Sequence, residues 1–251
     1  GDKKLKFDLK ENYNHSAQLE FYHFKQIIPM FKDNDDIKFI HKASFLFLVS
    51  CPIRVAQAFV LADMKKIYFN TENSNIEKLI QKYISDAAKE YLGLKEDTEK
   101  EDILSFPSAY NWEVDDTVKI LYNDDDFLTL EMSGYSYTGG VHGNSYFYYR
   151  NYDIHEGNRI KLWNFFDKKY KSEILKLIHR KIITNEREKD VFSINQVEIT
   201  GNFAITKKGV YFLYNNYEIG PYSSGIFELY FPYSEIQKFI IPAMMKKLSV
   251  N

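Results

Sequence analysis

The chain has one cysteine in 251 residues, Cys51. An internal disulfide framework is therefore excluded, as is any zinc or iron–sulfur site built from several thiolates. Proline and glycine are scarce, at 6 and 11 residues, which argues against fibrous repeats and low-complexity linkers. Charge of one sign is lacking too: 33 Lys and Arg against 35 Asp and Glu leave a formal −2. No global positive field exists to hold nucleic acid or an anionic membrane. Long apolar runs are absent; residues 43–62 come nearest, but Cys51-Pro52 and Arg54 interrupt them. A membrane span needs about 20 predominantly apolar residues, so no transmembrane segment is expected there.

Aromatic residues are present in excess: 20 Tyr, 20 Phe and 2 Trp make up 17% of the chain. Tyr and Phe favour strands, so a sheet-rich fold is expected. A chain of this length buries enough surface to need no metal or disulfide staple.

Strand-like segments occupy residues 17–31, 110–122, 126–137 and 144–154. Residues 203–214 read as a hairpin turning through Lys207-Lys208-Gly209, and 226–231 as a last strand that Pro232 ends. A short helix capped near Ser234 follows it. Asp33–Asp36 and Asn123–Asp126 are turn signals. The acidic run Asp124–Asp126 reads as a solvated turn, or else as a patch for a basic partner.

The clearest helix spans 75–92, where Ile76, Leu79, Ile80, Tyr83, Ile84, Ala87 and Tyr91 form one apolar stripe. Ser74 or Asn75 suits its start and Gly93 its end. Asp167 is placed to cap a second helix over 168–185. Residues 37–62 hold one or two further apolar segments, of which Val55–Met64 has either a helical or a strand reading. Strands and helices are segregated rather than alternating, so the expected class is α+β with antiparallel sheets, a few packed helices and two closely associated subdomains. The charged stretch 95–102 sets the expected division, 1–105 and 106–251.

Phe45–Cys51 mimics a lipoprotein cleavage box, yet it lies about fifty residues inside folded-looking sequence and is read as a buried strand ending in a buried thiol. Its apolar flanks disfavour a thiolate nucleophile. Gly1 stands where an initiator Met would, and the charged start carries no signal peptide; a leader trimmed from this end would leave room for a lipid anchor.

Most catalytic signatures are missing. There is no zinc-binding His-Glu-x-x-His, no phosphate-binding Gly-x-x-x-x-Gly-Lys, no Gly-x-Ser-x-Gly elbow and no Ser-x-x-Lys. His15, His23, His41, His142, His155 and His179 show no metal-ligand spacing. No cofactor, metal or catalytic residue is expected.

Two segments stand out. In Tyr135-Ser136-Tyr137-Thr138-Gly139-Gly140-Val141-His142-Gly143-Asn144, the paired glycines permit positive φ and would set His142 and Asn144 on a tight connection between strands. Such a loop serves either an anion or catalytic site, or a hairpin that needs glycine for its geometry. In Tyr217-Glu218-Ile219-Gly220-Pro221-Tyr222-Ser223-Ser224-Gly225, Gly-Pro fixes a turn over which two tyrosines pack. Tyrosine offers a large rigid surface with a polar tip, suited to a core or to recognition.

Taken together, these segments resemble the RsiV-type domain, long catalogued as a domain of unknown function. Tyr137-Thr138-Gly139-Gly140-x-His142-Gly143-Asn144 resembles its hallmark hairpin. An aromatic strand, Leu162-Trp163-Asn164-Phe165-Phe166, a helix, the Tyr217–Gly225 segment and the strand Ile226–Phe231 follow in the same order. The resemblance covers about residues 109–241. Residues 15–105 resemble, more loosely, the companion domain that precedes it, although Cys51-Pro52 departs from that pattern. The resemblance implies an extracytoplasmic bacterial protein, often a lipoprotein or the outer part of a membrane protein. One branch of the family is an anti-sigma factor whose outer domain binds lysozyme; another sits beside a peptidoglycan deacetylase of the PdaC type. Without a spanning helix or a deacetylase motif, this chain looks like a freestanding version.

Two functional readings remain open. The first is a non-enzymatic binding module for lysozyme-like proteins or cell-wall glycan, with Tyr135, Tyr137, Thr138, Gly139, Gly140, His142, Asn144, Tyr217, Glu218 and Tyr222 at its site. The second is an envelope hydrolase built on His142, Asn144 and Glu218, which requires those side chains in one cleft. An assembly scaffold is indistinguishable from the first by sequence.

Overall fold

The computed structural model describes residues 16–51, 53–71 and 75–248. Along the chain run β1 (Gln18–Phe31), β2 (Asn34–Ser50), α1 (Arg54–Phe69), α2 (Ile76–Gly93), α3 (Lys100–Ser105) and α4 (Pro107–Tyr110). Next come β3 (Trp112–Asn123), β4 (Phe127–Tyr137), β5 (Asn144–Asp153), β6 (Asn158–Arg159), α5 (Leu162–Phe165) and α6 (Lys171–Thr184). The chain ends with β7 (Phe203–Ile205), β8 (Gly209–Tyr214), β9 (Phe227–Pro232), α7 (Tyr233–Ile236) and α8 (Pro242–Lys247). The α+β class expected from the segregated strand and helix signals is what the chain adopts.

Six strands form one sheet in the order β1-β2-β3-β4-β5-β6, and β7-β8-β9 form a second. All neighbours are antiparallel except β2 and β3, which run parallel. A parallel pair needs a long crossover, and residues 51–111 supply it. This crossover carries α1 and α2 onto one face of the sheet, where Val60, Met64 and Ile80 pack with Phe45, Phe47, Leu130 and Tyr152. The large sheet takes strands from both sides of residue 105. A second core joins the small sheet to α5 and α6 and is built of Phe165, Phe166, Phe203, Phe212 and Phe231, with Ile174, Ile178 and Ile182.

Side-chain amides join the two sheets. Beyond β6, which covers only Tyr152 and Asp153, β5 has an open edge. There Asn215 Oδ1 accepts from the Phe147 N–H at 2.7 Å and Asn202 Oδ1 from the Tyr149 N–H at 2.8 Å. Both asparagines donate back to the Phe147 carbonyl. Buried Asn151 accepts from Thr129 Oγ1 and the Ile205 N–H, and donates to the Phe203 carbonyl. Exposed strand edges invite unwanted pairing, and these amides block this one.

Local details correct several expectations. Helix α2 is capped by Asn75, whose side chain accepts from the Lys78 N–H, while Ser74 lies outside the described residues. Asp167 caps as expected, but on a 3-10 turn over Lys168–Tyr170 that leads into α6. Ser234 caps nothing: α7 follows Pro232 directly, with no side-chain cap. Val55–Met64 resolves as part of α1. The Cys51 thiol is half-exposed rather than buried, donating to the Ile53 carbonyl at 3.1 Å. Strand β2 ends at Ser50, so Cys51 follows the strand instead of packing inside it. The Asn123–Asp126 turn is held by Asp124, which accepts from the Asp126 and Phe127 N–H groups and from Tyr122.

His41 on β2 is fully buried among the rings of Phe24, Phe39 and Tyr83, at 4.9, 5.0 and 5.2 Å, and its Nδ1 has no partner. Burial pushes its pKa below the ordinary 6.5, outweighing the opposite pull of Asp116. A histidine with a depressed folded pKa favours the neutral form. As pH falls through about 6.5 the unfolded chain takes up the proton first, and stability drops. Denaturation midpoints measured at pH 7.5 and 5.5 should therefore fall less for His41→Phe than for the wild type. An equal fall in both proteins would remove His41 as a source of acid sensitivity.

Candidate binding face

The first glycine segment connects β4 to β5. Gly139 and Gly140 adopt φ of +93° and +98°, a region that side-chain-bearing residues rarely occupy. At Gly139 a Cβ would also press on the Ala109 carbonyl, at 2.7 Å. The loop is tied down by Tyr137, whose hydroxyl donates to the Gly140 carbonyl at 3.0 Å and lies 3.2 Å from that of Ser108. Gly143 lies under the Tyr135 ring, where a Cβ would overlap the phenol. The apex, Val141, is fully solvent-exposed. Thr138, His142 and Asn144 are also exposed.

The second segment is held from beneath by residues 187–192. The Phe192 N–H donates to the Ile219 carbonyl at 2.8 Å, and Gly220 passes so close to the Asp190 carbonyl that no Cβ fits. Arg187 makes most of the remaining contacts. Its guanidinium pairs with Asp190, donates to the Ile226 and Ser224 carbonyls, and lies 3.7 Å from the centre of the Phe227 ring. Ser224 Oγ donates to the Asp190 carbonyl. Tyr217 holds a left-handed φ of +68°, a strained state for a residue with a side chain, and the residue is 56% exposed.

The two segments meet. The Tyr222 ring stacks on the His142 ring at 4.0 Å and 19°, and its hydroxyl donates to the Gly143 carbonyl at 2.9 Å. Tyr217 stands beside Tyr222 at 5.8 Å. His142 Nδ1 lies 2.9 Å from the Gly143 carbonyl. A carbonyl only accepts, so Nδ1 is the donor in this contact, and in the neutral ring Nε2 is left as an acceptor. These contacts link Tyr135, Tyr137, Gly139, Gly140, His142, Tyr217 and Tyr222 into one cluster, in which Tyr135, Gly140, His142 and Tyr217 are exposed and Tyr137, Gly139 and Tyr222 half-buried. Asn144 opens β5 at its rim. Glu218 is exposed, and its carboxylate accepts from the Asn215 side-chain amide at 3.5 Å. Among the described residues no hydrogen bond or ion pair joins Glu218 to His142. Nor does any group of three or more His, Cys, Asp or Glu residues form a nest for a metal ion.

Arg187 and Phe192 were invisible to motif reading, since neither belongs to a recognisable pattern. A second missed feature is a carboxylate shared by two phenols. Asp116 accepts from Tyr83 of α2 at 2.6 Å and from Tyr146 of β5. The register aligns Asp116, Gly134 and Tyr146 across three strands, and the Tyr146 ring fills the space above Gly134. Burial, aided by the Asp116 charge, raises both phenol pKa values well above the ordinary range. These groups act as fixed donors. The alternation of Tyr146 and Tyr148 with Phe147 and Tyr149 was the signal that could have pointed to them.

Comparisons with known proteins fit this geometry. The family model described as "Deacetylase PdaC" matches residues 15–145, and that described as "Protein of unknown function (DUF3298)" matches residues 164–234. The glycine hairpin thus falls in the first match and the Gly-Pro-Tyr segment in the second. No curated protein matches the sequence. Among solved structures, a member of the DUF3298 family from Bacteroides fragilis superposes with a TM-score of 0.83 at 18% identity, covering 94% of this chain and 99% of its own. A DUF3298 family protein from Pseudomonas aeruginosa gives 0.61 at 16% identity, covering 91% and 96%. At such identities the likeness is one of fold. With more than half its length in the first match, the chain belongs to the family described as deacetylase PdaC and carries a DUF3298 domain after it.

Proposed function

We propose that this chain is a non-enzymatic binding module of the bacterial cell envelope, related to the RsiV-type domains, and that the His142–Tyr222 face is its recognition surface. The observation carrying this reading is the stack of His142 on Tyr222, which brings together two segments about 80 residues apart into one exposed aromatic surface. Rigid, exposed tyrosines give contact area at low entropic cost. The deacetylase PdaC match supports an envelope context. Among the described residues no helix is long and apolar enough to cross a membrane.

The ligand classes that suit this face are a lysozyme-like protein and cell-wall glycan. Calorimetric titration with a C-type lysozyme at two salt concentrations separates them. Saturable, near-stoichiometric heat supports the protein ligand, and silence at tens of micromolar moves the search to muropeptides. Replacing Tyr222 with Ala removes both the ring under His142 and the hydrogen bond to Gly143. It should weaken binding of the recognised ligand by more than about 1 kcal/mol, the mark of an anchor residue. Unchanged affinity with an intact circular dichroism spectrum would strike Tyr222 from the site.

The competing reading, an envelope hydrolase at His142, Asn144 and Glu218, draws on the free Nε2 of His142. It predicts turnover of a cell-wall substrate that His142→Gln abolishes. A general base also needs reach to its substrate proton, and the exposed, separately held Glu218 gives it no visible partner.

A further inference from the structure

The face of β5 that looks toward α1 and α2 carries Tyr146, Tyr148, Arg150 and Tyr152 in succession, because side chains two apart share a face. Register places Arg159 of β6 directly opposite Tyr152, and so diagonal to Arg150 on the same face. Both arginines are half-buried. The Arg150 Nε is sealed from solvent without a hydrogen-bond partner, and its Nη1 reaches only the Tyr149 carbonyl at 3.3 Å. Among the described residues neither arginine forms an ion pair. Asp63 of α1, a carboxylate within electrostatic reach of Arg150, already accepts from the Tyr152 hydroxyl at 2.8 Å. Elsewhere the fold handles a half-buried arginine differently: Arg187 is paired with Asp190 and saturated by carbonyls.

Desolvation and the neighbouring Arg159 charge push the Arg150 pKa down, against a partial opposite pull from Tyr152, Asp63 and Tyr148. Two half-buried guanidinium groups on one face, neither held by a carboxylate, suit the planar, bidentate pairing that a carboxylate or phosphate offers. Beside it Tyr148 leaves 45% of its surface exposed, tilted against Tyr146 at 5.7 Å, while Tyr146 is pinned by Asp116. That gives a rigid aromatic platform next to a cationic pair, roughly 20 Å along the strand from Asn144 at 3.3 Å per residue.

We propose that Arg150 and Arg159 form an anion site for the carboxylate or phosphate of a saccharide whose ring lies on Tyr148. The site is separate from the His142–Tyr222 face and does not depend on what that face binds.

The test is titration of the full chain with three sugars sharing one ring: glucuronic acid, glucose 6-phosphate and glucose. At least one anionic sugar should bind saturably, at least about tenfold more tightly than glucose, since charge-assisted hydrogen bonds are roughly twice as strong as neutral ones. A preference for glucuronic acid identifies a carboxylate source, and one for glucose 6-phosphate a phosphate source. Arg159→Gln should remove that preference. Arg150→Lys, which keeps charge but not the fork, should reduce it about tenfold. Tyr222→Ala should leave it intact, which separates this site from the tyrosine face. Glucose binding as tightly as the anionic sugars would overturn the proposal. So would no anionic binding at millimolar concentration by a folded protein, or an unchanged preference in Arg159→Gln.

Discussion

Phe212→Ala should lower the unfolding free energy by about 3–5 kcal/mol, the range for emptying a fully buried aromatic site. Phe212 is 1% exposed on β8, at the centre of the small sheet. Its ring stacks on Phe166 at 5.8 Å, meets Phe231 edge-on at 5.8 Å and lies 6.3 Å from Phe203. These neighbours come from three separate stretches of chain, β7, β9 and the residue after α5, so they cannot collapse together into the void. Each is also fixed by backbone pairing or by a bridge such as Phe166 to Ile240. Phe212→Leu should recover roughly half of the loss by keeping most of the volume. Urea denaturation followed by far-UV circular dichroism measures both. A loss below about 1 kcal/mol for the alanine variant would mean that this core repacks freely, contrary to what its anchoring requires.

Most of the strands and the helices α2 and α6 were legible because their signals are local. Alternation in Trp112–Asn123, Phe127–Tyr137 and Asn144–Asp153, and the apolar stripe of Ile76–Gly93, each depend only on neighbouring residues. Residues 37–62 were harder, since an apolar run followed by a mixed one fits either a buried strand or a helix; the chain resolves them into β2 and α1. Short elements such as α5, α8 and β6 escaped because two to six residues carry no period. The parallel β2–β3 pair was illegible for a different reason: parallel pairing is a property of the crossover, not of either strand.

The same division holds for the site. His142, Tyr217 and Tyr222 announced themselves through glycine and proline signals. That they touch is a long-range fact, set by Asn202 and Asn215 clasping the open edge of β5. Cys51 shows the opposite error: an apolar context suggested burial, yet the strand stops one residue before it and leaves the thiol half-exposed. Arg150 and Arg159 look like ordinary surface cations until register sets them on one face.

Arg187→Ala should cost about 3 kcal/mol and disable the tyrosine face together with the fold around it. The magnitude follows from what is left behind. The Ser224 and Ile226 carbonyls lose a charged donor, Asp190 loses its counter-ion, and the Phe227 ring loses the cation over it. The ion pair itself is partly exposed and contributes least, so most of the effect belongs to the two carbonyl contacts. Those contacts fix residues 224–226, which close the segment that presents Tyr222 to His142. Arg187→Lys should rescue little, because one ammonium cannot reach Asp190 and both carbonyls in the planar fork that arginine provides. Two readouts separate the local effect from a general loss of stability. Limited proteolysis at low temperature should cut Arg187→Ala within 217–225 while the large sheet stays intact. Phe212→Ala, despite its larger equilibrium loss, should show no such selective cut. Wild-type protease resistance in that segment would show that Gly220, Ser224 and the Phe192–Ile219 hydrogen bond hold it without Arg187, and would reassign the arginine to general packing.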